Sequence, residues 1–175
     1  MVGYVVVMMS QSLNKYSLHR NPVWRDRVNN IILAQLPDEP PYQLSDGARW
    51  FEELWCRQIS EDEFEVCCIP FFLYDIALGD VVKTHLETVV QTESGDRQHV
   101  VSCVVSRSGR YVFRVYFEES MRGNRDTVEK KLTELGALTE WSSANLLAVD
   151  ARDADHGQQI ADYLFEQQNL DQLVY

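Results

Sequence analysis

Apolar and polar residues alternate along this chain in three different ways. The first 47 residues begin with an unbroken apolar run, "VGYVVVMM", which predicts a buried strand. A polar loop follows, then "NPVWRDRVNNIILAQL". Here Trp24, Val28, Ile31, Ile32 and Leu36 fall at helical spacing, Asn21 can cap and Pro22 suits a first helical position. The spacing predicts a helix, ended by Pro37 and followed by an extended Pro40-Pro41 linker with a boundary near Asp46-Gly47.

Residues 48–109 read as strands. "RWFEELWCRQI" and "EFEVCCI" flank the polar turn "SEDE", a hairpin pattern. "IPFFLYDIALGD" comes next. Pro70 must end a strand or sit at an edge, because it has no N–H to give. Phe71, Phe72, Leu73, Ile76 and Leu78 are too apolar for an open loop, and Gly79-Asp80 turns the chain back. "VVKTHLETVVQ" and "HVVSCVVS" complete an antiparallel curled sheet or small barrel.

From residue 110 the pattern changes again. "RYVFRVYF" is a strand, and "NRDTVEKKLTELG" a helix with Asp126 and Glu129 at capping-box spacing, Val128, Leu132 and Leu135 buried, and Gly136 at its end. "ALTEW" and "NLLAVD" are strands joined at Ser142-Ser143-Ala144. "ADHGQQIADYLFEQQ" is a helix capped by Asp153 or Asp155 that buries Ile160, Ala161, Leu164 and Phe165, and "DQLVY" is a closing strand. The order β-α-β-β-α-β predicts a ferredoxin-like arrangement. The fold class is therefore α+β, in three regions: 1–47, 48–109 and 110–175, which can pack as one unit.

Several of these stretches resemble one family. "ELWCR", "IPFFLYDIALGDVV", "SGRYVFRVYF" and "LLAVD" are similar to the uncharacterised bacterial domain of unknown function 4265, over roughly residues 48–175. Those motifs are fold-like and imply no particular chemistry. In size and acidity the chain is also similar to immunity proteins of bacterial toxin–immunity pairs.

Charge narrows the functional classes. The net charge is −11. Residues 1–47 are neutral, with four Lys/Arg against four Asp/Glu; residues 48–109 carry five against eleven and residues 110–175 seven against twelve. A field of that sign disfavours nucleic acid and draws in a basic partner. The N-terminal run predicts neither a signal peptide nor a membrane span, which points to the cytoplasm. Cys56, Cys67, Cys68 and Cys103 lie in apolar segments without a C-x-x-C pair, so all four are expected to be buried reduced thiols. No catalytic motif, metal-ligand spacing or cofactor fingerprint is present among His19, His85, His99 and His156 or elsewhere.

The resulting expectation is a non-enzymatic acidic inhibitor, an immunity protein that blocks the basic cleft of a toxin domain, possessing no cofactor and no membrane contact. Its candidate binding residues are Glu61, Asp62, Glu63 and Glu65 on the first hairpin, Asp150, Asp153 and Asp155 at a strand-to-helix junction, and Trp141 as aromatic anchor, with Trp50 and Trp55 as alternatives. Two other classes compete. One is a small ligand-binding or regulatory module with a pocket beside Trp141 and Tyr163. The other is a hydrolase that would need Asp75, Asp80 and His85 in one cleft.

Overall fold

The computed structural model describes residues 14–38, 48–89 and 97–175. The expected first strand and the boundary near Asp46-Gly47 lie outside the described residues. The fold is α+β, with two sheets and two helices.

The larger sheet has six strands: β1 (Lys15–Ser17), β2 (Asn30–Gln35), β3 (Trp50–Gln58), β4 (Glu63–Val66), β5 (Val81–Glu87) and β6 (Gln98–Ser106). Their order is β1-β3-β2-β6-β5-β4, and β3 also pairs with β4. The sheet therefore curls until it meets itself. Most pairings are antiparallel; β1–β3 and β2–β6 are parallel. The predicted hairpin forms, with Cys56 opposite Val66 and Gln58 opposite Phe64. Inside the curl, Ile32, Leu54, Phe64, Val66 and Val82 are fully buried.

The helix expected over 21–36 is not there. Arg25–Arg27 make one 3-10 turn, Val28 is extended, and Asn30–Gln35 form β2. Ile32, Leu33 and Ala34 are buried in succession while Ile31 is 46 % exposed. A central strand covered on both faces reads as a short apolar run, and such a run mimics helical spacing. Six-residue pairing with β3 decides the matter, favoured by β-branched Ile31 and Ile32.

The smaller sheet contains β7 (Tyr111–Tyr116), β8 (Leu138–Trp141) and β9 (Leu146–Ala151), in the antiparallel order β7-β9-β8. Helix α1 (Arg125–Glu134) links β7 to β8, and α2 (Ala154–Asn169) follows β9. Val128, Leu132, Ile160 and Leu164 pack on Val115, Leu147 and Val149. The closing segment is reduced to one antiparallel bridge, Tyr116 to Val174.

Helix ends follow local chemistry in part. Asp153 caps α2 by accepting from the His156 N–H at 2.8 Å. Gly136, at φ 89, takes the left-handed position after α1. The capping box does not form: Asn124 precedes α1 with no side-chain cap, and Glu129 accepts from the Thr139 hydroxyl instead. Phe165 is 59 % exposed rather than buried. The α2 stripe of His156, Gly157, Ile160 and Leu164 already covers the sheet, and Phe165 lies outside it.

Three cysteines are buried, but Cys103 is exposed, a correction to the sequence expectation. It lies on β6, where only some positions face the core. Burial and the Glu65 charge push the Cys67 thiol up to about 11, and burial also raises Cys56 and Cys68. A thiol reagent at neutral pH should therefore label the native protein once, at Cys103, and four times after denaturation. Rapid labelling of two or more sites in the native protein would contradict this packing.

Candidate functional site

The 69–73 corner leaves the sheets, so its backbone groups need partners from side chains. They find three, all from distant segments. Glu52 on β3 accepts from the N–H of Phe71 at 2.6 Å and of Phe72 at 2.9 Å. Glu140 on β8 accepts from Ile69 at 2.9 Å and from Val23 at 3.0 Å. Arg114 on β7 donates to the carbonyls of Phe71 and Pro70, each at 3.1 Å, and of Leu73. His19 completes the set between the two carboxylates. Its Nε2 lies 3.0 Å from Glu52 Oε1 and its Nδ1 2.8 Å from Glu140 Oε2.

Glu52 is fully buried, His19 is 3 % exposed and Glu140 4 %. Carboxylates accept at both ring nitrogens, and an imidazole can donate from both only as the cation. Burial opposes that charge, yet the net effect of Cys68, Glu140 and Glu52 holds the histidine protonated well above its ordinary range. The Phe71 ring stacks on the imidazole with centroids 4.0 Å apart and planes 10° apart. Ile69, Phe71 and Leu78 from the corner also pack with Ala148 of β9. The corner is thus a joint between the two sheets, its charges matched and its backbone satisfied.

A cysteine, a histidine and a carboxylate together invite a catalytic comparison. Cys68 lies beside His19, but the thiol is fully buried and burial raises its pKa. A nucleophilic cysteine needs the opposite environment. Two surface clefts, of about 640 and 320 Å³, are lined by neither Cys68 nor His19.

The folded-state pKa of His19 is raised, so the native state holds a proton that the unfolded chain loses near the ordinary value of about 6.5. The stabilisation is present in full below that value and declines as pH rises through the native pKa. Stability should fall as pH rises above about 6.5, by up to about 1.4 kcal/mol per pH unit, the limit set by one proton. Denaturant titrations between about pH 6.5 and 8.5, below ordinary thiol ionisation, measure this slope. A slope shared by a His19→Gln variant would assign it elsewhere.

The residues singled out from sequence are scattered. Glu61 is exposed at the hairpin tip. Asp62 pairs with Lys83 at 3.2 Å, and Glu65 with Arg27 at 2.6 Å and Arg57 at 2.8 Å. Glu63 lies opposite Lys83 in the β4–β5 ladder. Asp150 is fully buried and held by Arg110 through both carboxylate oxygens. Burial pushes its pKa up while Arg110 pulls it down. Asp153 is committed to the α2 cap, and Asp155 is exposed beside it. Trp141 is half-buried against Phe117, with the Arg125 guanidinium 4.2 Å from its ring centroid. Trp50 and Trp55 are also half-buried.

Asp75 and Asp80 both line the smaller cleft and both contact Arg107, but His85 lies apart from them. Asp80 is buried and accepts from the N–H groups of Ser108 and Ala77, closing the Gly79 turn. His85 is exposed beside Ser102 and Glu87. Asp75 is exposed and offers its carbonyl to Arg107. His156 holds the α1–α2 junction: its Nδ1 accepts from Arg152 N–H, so Nε2 carries the proton and donates to Leu135. Among the described residues no group of three His, Cys, Asp or Glu is placed to hold a metal ion, and no helix is long and apolar enough to cross a membrane.

These features define an α+β protein whose best-organised ionisable cluster lies inside the fold. The chain belongs to the family described as Domain of unknown function (DUF4265), whose pattern residues 52–174 match. A hypothetical protein from Neisseria gonorrhoeae is structurally similar, with a TM-score of 0.60 at 14 % identity, over 82 % of this chain and 89 % of that one. That likeness concerns the fold. No curated protein matches the chain.

Proposed function

We propose that this protein works by binding: an acidic inhibitor that occupies a basic surface on a partner, in the manner of a bacterial immunity protein acting on a toxin domain in the cytoplasm. The observation that carries this reading is the outer face of α2. The helix spans 16 residues and contains no Lys or Arg. Its inner stripe anchors it to the sheet, which makes its outer face rigid. Asp155, Asp162 and Glu166 lie along that face at helical spacing, all exposed, with Phe165 59 % exposed among them. An aromatic anchor ringed by carboxylates that have no ion-pair partner among the described residues suits a cationic partner. The first hairpin suits it less, because Asp62 and Glu65 are already neutralised by Lys83, Arg27 and Arg57.

The platform for this helix is read as a ferredoxin-like unit. Support comes from the order β7-β9-β8, the two intervening helices and the Tyr116–Val174 bridge on the outer side of β7.

The test is genetic and then kinetic. Co-production of this chain should restore growth to cells making the toxic domain encoded beside its gene. Asp155→Lys, Asp162→Lys and Glu166→Lys together should abolish rescue and slow association, while thermal stability stays near that of wild type, since exposed substitutions change little. The proposal fails if the adjacent gene encodes nothing toxic, or if the triple reversal rescues as well as wild type.

A further inference from the structure

The larger cleft has a chemistry unlike the rest of the molecule. It holds about 640 Å³ and is lined chiefly by Arg20, Arg125, Glu140, Trp141, Ser142 and Ser143. Most arginines elsewhere are spoken for: Arg27, Arg49, Arg57, Arg107, Arg110, Arg122 and Arg152 each have a carboxylate partner, Arg97 and Arg114 donate to backbone carbonyls, and Arg25 lies over the Trp55 ring. Arg20 and Arg125 have no carboxylate partner among the described residues, although the chain carries a net charge of −11. The Arg125 Nε is buried without a hydrogen-bond partner, and its guanidinium is held in place by Trp141.

Glu140 lines the cleft but does not compete for the arginines. Its Oε1 accepts from Val23 and Ile69, and its Oε2 faces His19. Ser143 Oγ accepts from the N–H groups of Asn145 and Leu146, which leaves its hydroxyl proton to donate outward.

We propose that this cleft binds the phosphate group of a small phosphorylated molecule. Two guanidiniums and serine hydroxyls supply more donors than the two oxygens of a carboxylate use, and a phosphate monoester offers three terminal oxygens. The cleft has room for an attached group beside Trp141. The surrounding negative charge turns away extended polyanions, so the ligand is a small molecule rather than a nucleic acid. The proposal is independent of the partner reading and is tested without any partner.

The experiment follows the side-chain Nε–H signals of arginine by NMR during titration of the full chain with inorganic phosphate, ionic strength being matched with sodium chloride. Adenosine monophosphate is titrated next, to measure what an attached group adds. Expected are saturable shifts at Arg125 in the millimolar range, tighter binding of the monophosphate, and affinity about tenfold weaker in Arg20→Gln. Arg20 is exposed, so that variant keeps its fold, and an unchanged melting temperature confirms it. Arg125→Lys should retain the charge yet weaken binding, because the planar fork is lost. Equal shifts with chloride alone, equal shifts at the distant Arg97, or full affinity in Arg20→Gln would each overturn the proposal.

Discussion

His19→Ala should lower unfolding free energy by about 3–5 kcal/mol, a large share of what a domain of this size has to lose. The substitution opens a cavity beside Phe71 and strands two carboxylates. Glu52 and Glu140 would stay buried, fastened to the corner's N–H groups, with no cation between them. A buried charge left without its partner is among the costliest single defects a fold can carry. Urea titration near pH 6 measures the loss. His85→Ala is the matched control: that histidine is exposed, and its removal should shift stability by no more than about 0.5 kcal/mol. If both variants unfold together, the charged joint is not what holds the sheets.

Phe71→Ala should have a comparable effect through a different cause. The ring is 1 % exposed and packs with Ile69, Leu78 and Ala148 while lying flat on His19. Its loss opens a cavity at the seam between the sheets and strips the stacked face of the imidazolium. Together these should cost about 3–5 kcal/mol. Phe72→Ala should cost less, because that ring is only partly buried against the larger core. Phe71→Leu separates the two contributions: it refills most of the space without restoring the aromatic face. Chemical denaturation of the three variants orders them. Equal losses from Phe71→Ala and Phe72→Ala would remove the distinction between seam and periphery.

Much of the architecture was legible because its signals are local. The β3–β4 hairpin, the Asp153 cap, Gly136 and the succession from β7 to α2 rest on alternation, turn residues and helix ends within short windows. The stretch 21–36 failed because apolar spacing is ambiguous over six residues, and only pairing with β3 and β6 decides it. Phe165 failed because an apolar residue one position off a buried stripe looks like part of it. The joint itself was invisible for a plainer reason: His19 is 33 positions from Glu52 and 121 from Glu140. One trace was present. Glu52 and Glu140 sit inside the apolar strands "WFEELWC" and "ALTEW", where an interior acid must have a partner somewhere.

The joint also bears on what the recognisable pattern of residues 52–174 can do by itself. Both acids of the cluster fall within that span, and their cation falls outside it. So does β2, which fills the place between β3 and β6. A fragment cut at residue 52 would carry a gap in its curled sheet and two internal negative charges without the histidine between them. The pattern by which relatives are recognised is thus narrower than the autonomous folding unit, and any excised or transplanted version has to bring residues 14–38 along.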